Sequence, residues 1–100
     1  MSDIKTLQRK VAQTTLDLRH SEDPKIILLF LLEELGEVAR AFLKEEGFKK
    51  KNDRVLETAA QEMGDVFYML LRLAYVRGVD LEEQLHHTLE KLQAGSPQDV

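Results

Sequence analysis

Two stretches of this chain put carboxylates where a core is expected. Glu33-Glu34-Leu35-Gly36-Glu37-Val38 lies in one strongly apolar segment, and Gln61-Glu62-Met63-Gly64-Asp65-Val66 repeats its pattern 28 positions later in another. On a helix, Ile27, Leu31, Glu34, Val38 and Ala41 share one stripe with Glu37 at its edge. Val55, Ala59, Glu62, Val66, Met69, Leu73 and Val76 form the matching stripe of a second helix, with Asp65 at its edge. For either acid pair alone, solvated surface is the common explanation, because ionisable residues are mostly exposed. Two pairs, each inside an apolar stripe, change the balance. Burying an unpaired carboxylate is costly, and two charges 4 Å apart repel by about 4 kcal/mol at an effective dielectric of 20. Four carboxylates that converge between facing helices therefore require cations or protons.

The donor set selects the cation. All-oxygen ligands suit Mg²⁺ or Mn²⁺, whereas zinc recruits His or Cys. A dinuclear iron site in a helical bundle expects Glu-x-x-His, and Glu37 and Asp65 stand where those histidines would be. His20, His86 and His87 lie elsewhere and receive no ligand role. Mg²⁺ keeps waters and shares its sphere with phosphate oxygens, so the pattern implies metal-assisted phosphoryl or nucleotidyl transfer on a phosphorylated substrate.

Apolar residues at intervals of three and four run through the whole chain and predict an all-α, four-helix bundle with two long central helices. The first helix begins near Ile4 and stops at Ser21-Glu22-Asp23-Pro24. Asp23 caps the second, Pro24 opens it, and Gly47 ends it after about Glu46. Phe48 to Asp53 then forms a loop, with Asn52 or Asp53 capping a third helix that Gly78 terminates near Arg77. Asp80 and Glu83 resemble a capping box that opens a fourth helix to about Gln93. The expected organisation is a single domain over residues 1–94, with a flexible tail over 95–100. Gly36 and Gly64 are candidates for close helix approach.

Composition narrows the partners. One hundred residues hide only about 60 to 65% of their unfolded surface on folding, so a second copy could complete the core. Ile26 to Leu32 is apolar on every side, which points to a homodimer built through the second helix. The net charge of −4 and the single short basic run, Lys49 to Lys51, argue against a nucleic-acid polymer as ligand. No apolar run approaches a membrane span, the N-terminus has no apolar signal region, and cysteine is absent, so a soluble, cytoplasmic protein is expected.

With its spacing, the acid pattern resembles the signature of the MazG-type nucleoside triphosphate pyrophosphohydrolases of the all-α NTP pyrophosphatase superfamily. That signature is EExxE, a spacer, then ExxD. Here Glu33-Glu34-Leu35-Gly36-Glu37 is followed by 24 residues and then Glu62-Met63-Gly64-Asp65. The likeness extends over about residues 24 to 92, through GDVFYMLLRLA and the VDLEEQLHHTLEKL helix that carries Lys91. The resemblance implies hydrolysis of a nucleoside triphosphate between its α and β phosphates, giving a monophosphate and pyrophosphate, in nucleotide-pool house-cleaning. It implies Glu34, Glu37, Glu62 and Asp65 as Mg²⁺ ligands and Glu33, with Glu34, as the acids that act on the attacking water, against an equal case for Glu33 as a plain surface acid near Arg40. Lys91, Lys50 and Lys51 are the candidates for phosphate contact, against an ordinary solubilising role. Relatives assemble as dimers or tetramers, with pockets built partly by a neighbouring subunit. Many also carry an Arg shortly after the Lys matching Lys91, where this chain has Gln93-Ala94-Gly95, and some stack the base on Trp, which this chain lacks. A phosphoribosyl-ATP pyrophosphatase-like enzyme and a non-catalytic metal- or partner-binding helical module are the alternative readings.

Overall fold

The computed structural model describes residues 3–47 and 57–95, and among these every regular element is an α-helix. Helix α1 spans Ile4–Asp17, with Asp3 as its N-cap accepting from the Thr6 amide at 2.7 Å. Helix α2 spans Pro24–Glu45, capped by Asp23 and opened by the proline, as its sequence predicts. Helix α3 spans Ala59–Arg77 and ends on Gly78, whose φ of 64° is the left-handed conformation that glycine adopts most readily. Helix α4 spans Leu81–Gln93, with the Asp80 carboxylate accepting from the Glu83 amide at 3.2 Å.

The start of α3 differs from the sequence expectation. Thr58 is the cap, not Asn52 or Asp53, and a complete capping box holds it: Gln61 N donates to Thr58 Oγ1 at 3.1 Å and Thr58 N donates to Gln61 Oε1 at 2.8 Å. Two reciprocal bonds satisfy two orphan amides, where a lone Asn or Asp satisfies one. The whole of the expected 48–53 loop, Lys50 and Lys51 included, lies outside the described residues, as does the 96–100 part of the expected tail.

Helices α2 and α3 form an antiparallel hairpin fastened at both ends. At one end Glu45 Oε2 accepts from the Ala59 amide at 2.8 Å, so the last residue of α2 satisfies a free N–H at the start of α3. At the other, Arg72, only 5% exposed, donates through Nε and Nη2 to the Ser21 carbonyl at 3.1 and 2.7 Å. Tyr75 adds a hydrogen bond to Glu22, and Tyr68 one to His20. Helix α1 lies along α3, and α4 leans chiefly on α1. Among the described residues the buried apolar ones are few: Ile27, Ala41, Ala59, Met69, Leu71 and Ala74. Gly36 and Gly64 are exposed, and a Cβ built on either would meet no atom within 4 Å, so neither mediates close helix approach within the chain.

Much apolar surface stays uncovered. Leu28, Leu32, Leu35 and Phe42 recur along α2 at heptad-like spacing and are all exposed, as are Met63, Phe67 and Leu70 on α3. The radius of gyration is 16.0 Å, against about 13 Å for a compact domain of this length.

Candidate active site and metal centre

Three of the four predicted acids meet. One carboxylate oxygen from each of Glu34, Glu62 and Asp65 lies within 4.8 Å of the others, Glu34 reaching across from α2 and the other two rising from successive turns of α3. Glu62 is the deepest, 7% exposed, while Glu34 and Asp65 are half-buried. The hairpin brings the middles of the two apolar stripes face to face, so the acids embedded in those stripes meet with them.

Glu37, the fourth, is turned aside. Its Oε1 accepts from Arg40 Nη1 at 2.6 Å, an i, i+3 ion pair along α2. A fifth acid, which the helical stripes do not reveal, stands near the cluster without joining the three carboxylates that meet. It is Glu57, exposed and one residue before the α3 cap, close enough to Asp65 and Glu62 for their carboxylates to raise its affinity for a proton. Its signal in the sequence is Thr58-x-x-Gln61, the capping box that fixes where α3 begins and so brings Glu57 to the N-terminal end of the acidic cluster.

The cluster's electrostatics follow from this crowding. Burial raises the affinity of Glu34 for a proton, with the negative charges of Asp65, Glu33, Glu37 and Glu57 adding to it. Glu62 is raised for the same reasons, burial first and then Asp65, Glu34 and Glu37, with a hydrogen bond to Glu34 besides. The hydrogen bond to Asp65, then loss of water, then the charges of Asp65 and Glu62 push the Glu57 carboxyl up to about 7. Among the described residues no Lys, Arg or N–H group bonds the Glu62 carboxylate. A buried acid answered only by other acids, in an all-oxygen set spread over less than 5 Å, suits a hard divalent cation such as Mg²⁺ or Mn²⁺, whose opposite ligands stand about 4.2 Å apart.

The other predicted residues are dispersed. Glu33 is exposed on the α2 surface beside Glu34. Lys91 is exposed in the last turn of α4. Of the histidines, His20 is engaged with Tyr68 at 2.8 Å, and His86 and His87 are exposed on α4; none joins the acids.

The family profile of the MazG nucleotide pyrophosphohydrolase domain matches residues 22–99. The chain belongs to the MazG family. Its fold is also that of YPJD, a candidate pyrophosphatase from Bacillus subtilis whose crystal structure superposes with a TM-score of 0.81 at 27% identity, covering 99% of this chain and 98% of that one. No protein of curated function matches the chain. As a MazG domain it is a hydrolase of phosphoric anhydrides, a nucleotide pyrophosphohydrolase in the general sense. Glu34 of the EExxE segment and Glu62 and Asp65 of the ExxD segment are the acids that meet between α2 and α3. No helix among the described residues is long and apolar enough to cross a membrane.

Proposed function

We propose that this chain is a Mg²⁺-dependent nucleoside triphosphate pyrophosphohydrolase, with Mn²⁺ as a possible substitute, that cleaves between the α and β phosphates and clears unwanted triphosphates from the cytoplasmic nucleotide pool. The observation that carries this reading is the buried Glu62 carboxylate, within 4.8 Å of Glu34 and Asp65 and without a basic partner among the described residues. Glu34, Glu37, Glu62 and Asp65 are the proposed ligands, Glu37 joining when its side chain leaves Arg40, an exchange that a surface ion pair worth at most about 1 kcal/mol permits. When bound by these acids, the cation would offset phosphate charge and lower the pKa of attacking water. Glu33, beside the cluster yet open to solvent, orients that water or accepts its proton, with Glu34 as the adjoining acid.

Lys91, Lys50 and Lys51 are proposed for the phosphates. Lys91 rides on a helix that packs on α1 rather than on α2, so its reach to an acidic cluster runs through a neighbouring subunit. The uncovered α2 residues Leu28, Leu32, Leu35 and Phe42 support a homodimer, or a tetramer made from two, with α2 at the interface. A Leu32→Glu variant should then run as a lighter species than wild type in light scattering; a wild-type mass equal to one 11.5 kDa chain at micromolar concentration contradicts the assembly.

The deciding experiment is a panel of nucleoside triphosphates with Mg²⁺ in which pyrophosphate and orthophosphate are measured separately. Pyrophosphate with a monophosphate is expected. Orthophosphate alone removes the α/β cleavage, and silence across the panel leaves a metal- or partner-binding module.

A further inference from the structure

The chain between α1 and α2 is held more firmly than a connector needs. Three residues in a row each bond α3: His20 Nδ1 lies 2.8 Å from the Tyr68 hydroxyl, the Ser21 carbonyl accepts twice from the buried Arg72, and Glu22 accepts from Tyr75. Their partners recur at intervals of four and three, so they continue the α3 stripe that begins at Asp65. The connector also carries backbone strain. Arg19 has a φ of 55°, where glycine is the usual residue, and it turns the chain so that the His20 amide donates to the Thr15 carbonyl at 3.0 Å. Such a conformation persists where the surroundings over-determine it, and the bonds from these three residues to α3 do so.

His20 is the member of this trio next to the acids. Its partner Tyr68 stands one turn beyond Asp65, a spacing that leaves side-chain origins about 5 to 6 Å apart. The two rings meet edge to face, 80° apart with centroids separated by 6.1 Å, so contact and hydrogen bond together orient the exposed imidazole. With Tyr68 donating to Nδ1, the neutral ring carries its hydrogen on Nε2, and no other described residue bonds that atom. A phosphorylated substrate at the acids calls for such donors, since Arg40 is engaged by Glu37. We propose that His20 is a substrate-binding residue whose Nε2–H, oriented by Tyr68, donates to a phosphate oxygen of the nucleotide held at the acidic cluster. The inference rests on the phosphorylated substrate proposed above and adds to it a contact from the α1–α2 connector.

The test is calorimetric titration of the full chain with inorganic pyrophosphate in the presence of Mg²⁺, on wild type, His20→Asn and His20→Gln. An Asn amide reaches the place of Nδ1 and keeps the bond to Tyr68, whereas a Gln amide reaches the place of Nε2. His20→Asn should weaken pyrophosphate binding at least about fivefold, as loss of a hydrogen bond to a charged group does at an open site, while His20→Gln stays within about twofold of wild type. Mg²⁺ binding without pyrophosphate should be the same in all three, which separates a lost phosphate contact from a displaced set of acids. Wild-type affinity in His20→Asn, equal weakening in both variants, or weaker Mg²⁺ binding by His20→Asn overturns the role of His20. So does a loss seen with a nucleoside monophosphate but not with pyrophosphate, which would make His20 a contact to base or sugar. Wild type that binds no pyrophosphate overturns the contact, whereas wild type that binds it but cleaves no triphosphate overturns the proposed activity alone.

Discussion

Set one above the other, the two acidic repeats begin alike and end differently. Glu34 matches Glu62, Glu37 matches Asp65, and three residues further on Arg40 matches Tyr68. That last difference governs where the second acid of each pair goes. Arg40 draws Glu37 into an ion pair at 2.6 Å. Tyr68 carries no charge and spends its hydroxyl on His20, so Asp65 stays in the cluster with Glu34 and Glu62. The first members differ too: Glu62 is fully inside, whereas Glu34 is half-buried. The lesson is that an i, i+3 neighbour outside a motif can decide which of its acids are on hand for a cation and which must first be released.

The largest effect should come from the deepest acid. Glu62→Gln keeps the side chain's shape but removes a ligand, so hydrolysis should fall by more than about a hundredfold, beyond what disturbing a ligand's supporting partner costs. Mg²⁺ should no longer raise its melting temperature as it does for wild type. Without metal the variant should melt at least as high as wild type, because one repulsive charge has gone. Normal turnover by this variant would place Glu62 outside the chemistry.

Acidity offers the next test. Glu34, Glu62 and Glu57 hold protons more tightly in the folded chain than in the unfolded one, Glu57 up to about 7. The folded state then binds the extra protons, so their stabilisation is complete below the unfolded carboxylate value of about 4.5 and is lost as pH rises through the folded values. In chelator, the melting temperature should drop between about pH 5 and pH 8, and saturating Mg²⁺ should flatten that drop. A chelated protein with a level profile over this range would mean that the acids do not crowd one another in solution.

Exchanging the neighbours probes the comparison itself. Tyr68→Arg should give Asp65 the partner that Glu37 already has, weakening Mg²⁺ binding roughly five- to tenfold, with Tyr68→Phe as the control that loses only the bond to His20. Equal affinities in the two variants would show that the neighbour does not direct the acid. Smallest is the reverse change. Arg40→Met frees Glu37, should tighten Mg²⁺ binding a few-fold, and should alter stability by less than about 1 kcal/mol, as expected for an exposed pair. Calorimetric titration reads both variants, and weaker binding in Arg40→Met would count against Glu37 as a ligand.

What was legible in the sequence follows how local each cause is. Asp23-Pro24 and Gly78 mark helix ends through interactions spanning a turn or less, and the structure places those ends where the residues do. The stripes located Glu34 and Glu62 because helical period and apolar burial act together. Glu57 escaped because Asn52 and Asp53 offer plausible caps upstream, which carries the helix past the Thr58 to Gln61 box and hides the acid inside it. The turning of Glu37 toward Arg40 is a choice among side-chain rotamers of similar energy, which periodicity does not address. Gly36 and Gly64 suggested close contact, yet both point into open space.

The two fasteners of the α2–α3 hairpin, Glu45 on the Ala59 amide and Arg72 on the Ser21 carbonyl, act at opposite ends with the acids between them. Together they set the longitudinal register of one helix against the other. A slip of one turn would carry Glu34 about 5.4 Å past Glu62 and break both fastenings at once. The carboxylates are thus gauged before any cation arrives, and mutual repulsion cannot disperse them by sliding the helices. Ion capture in such a frame requires side chains to give up protons and partners, while the backbone stays still.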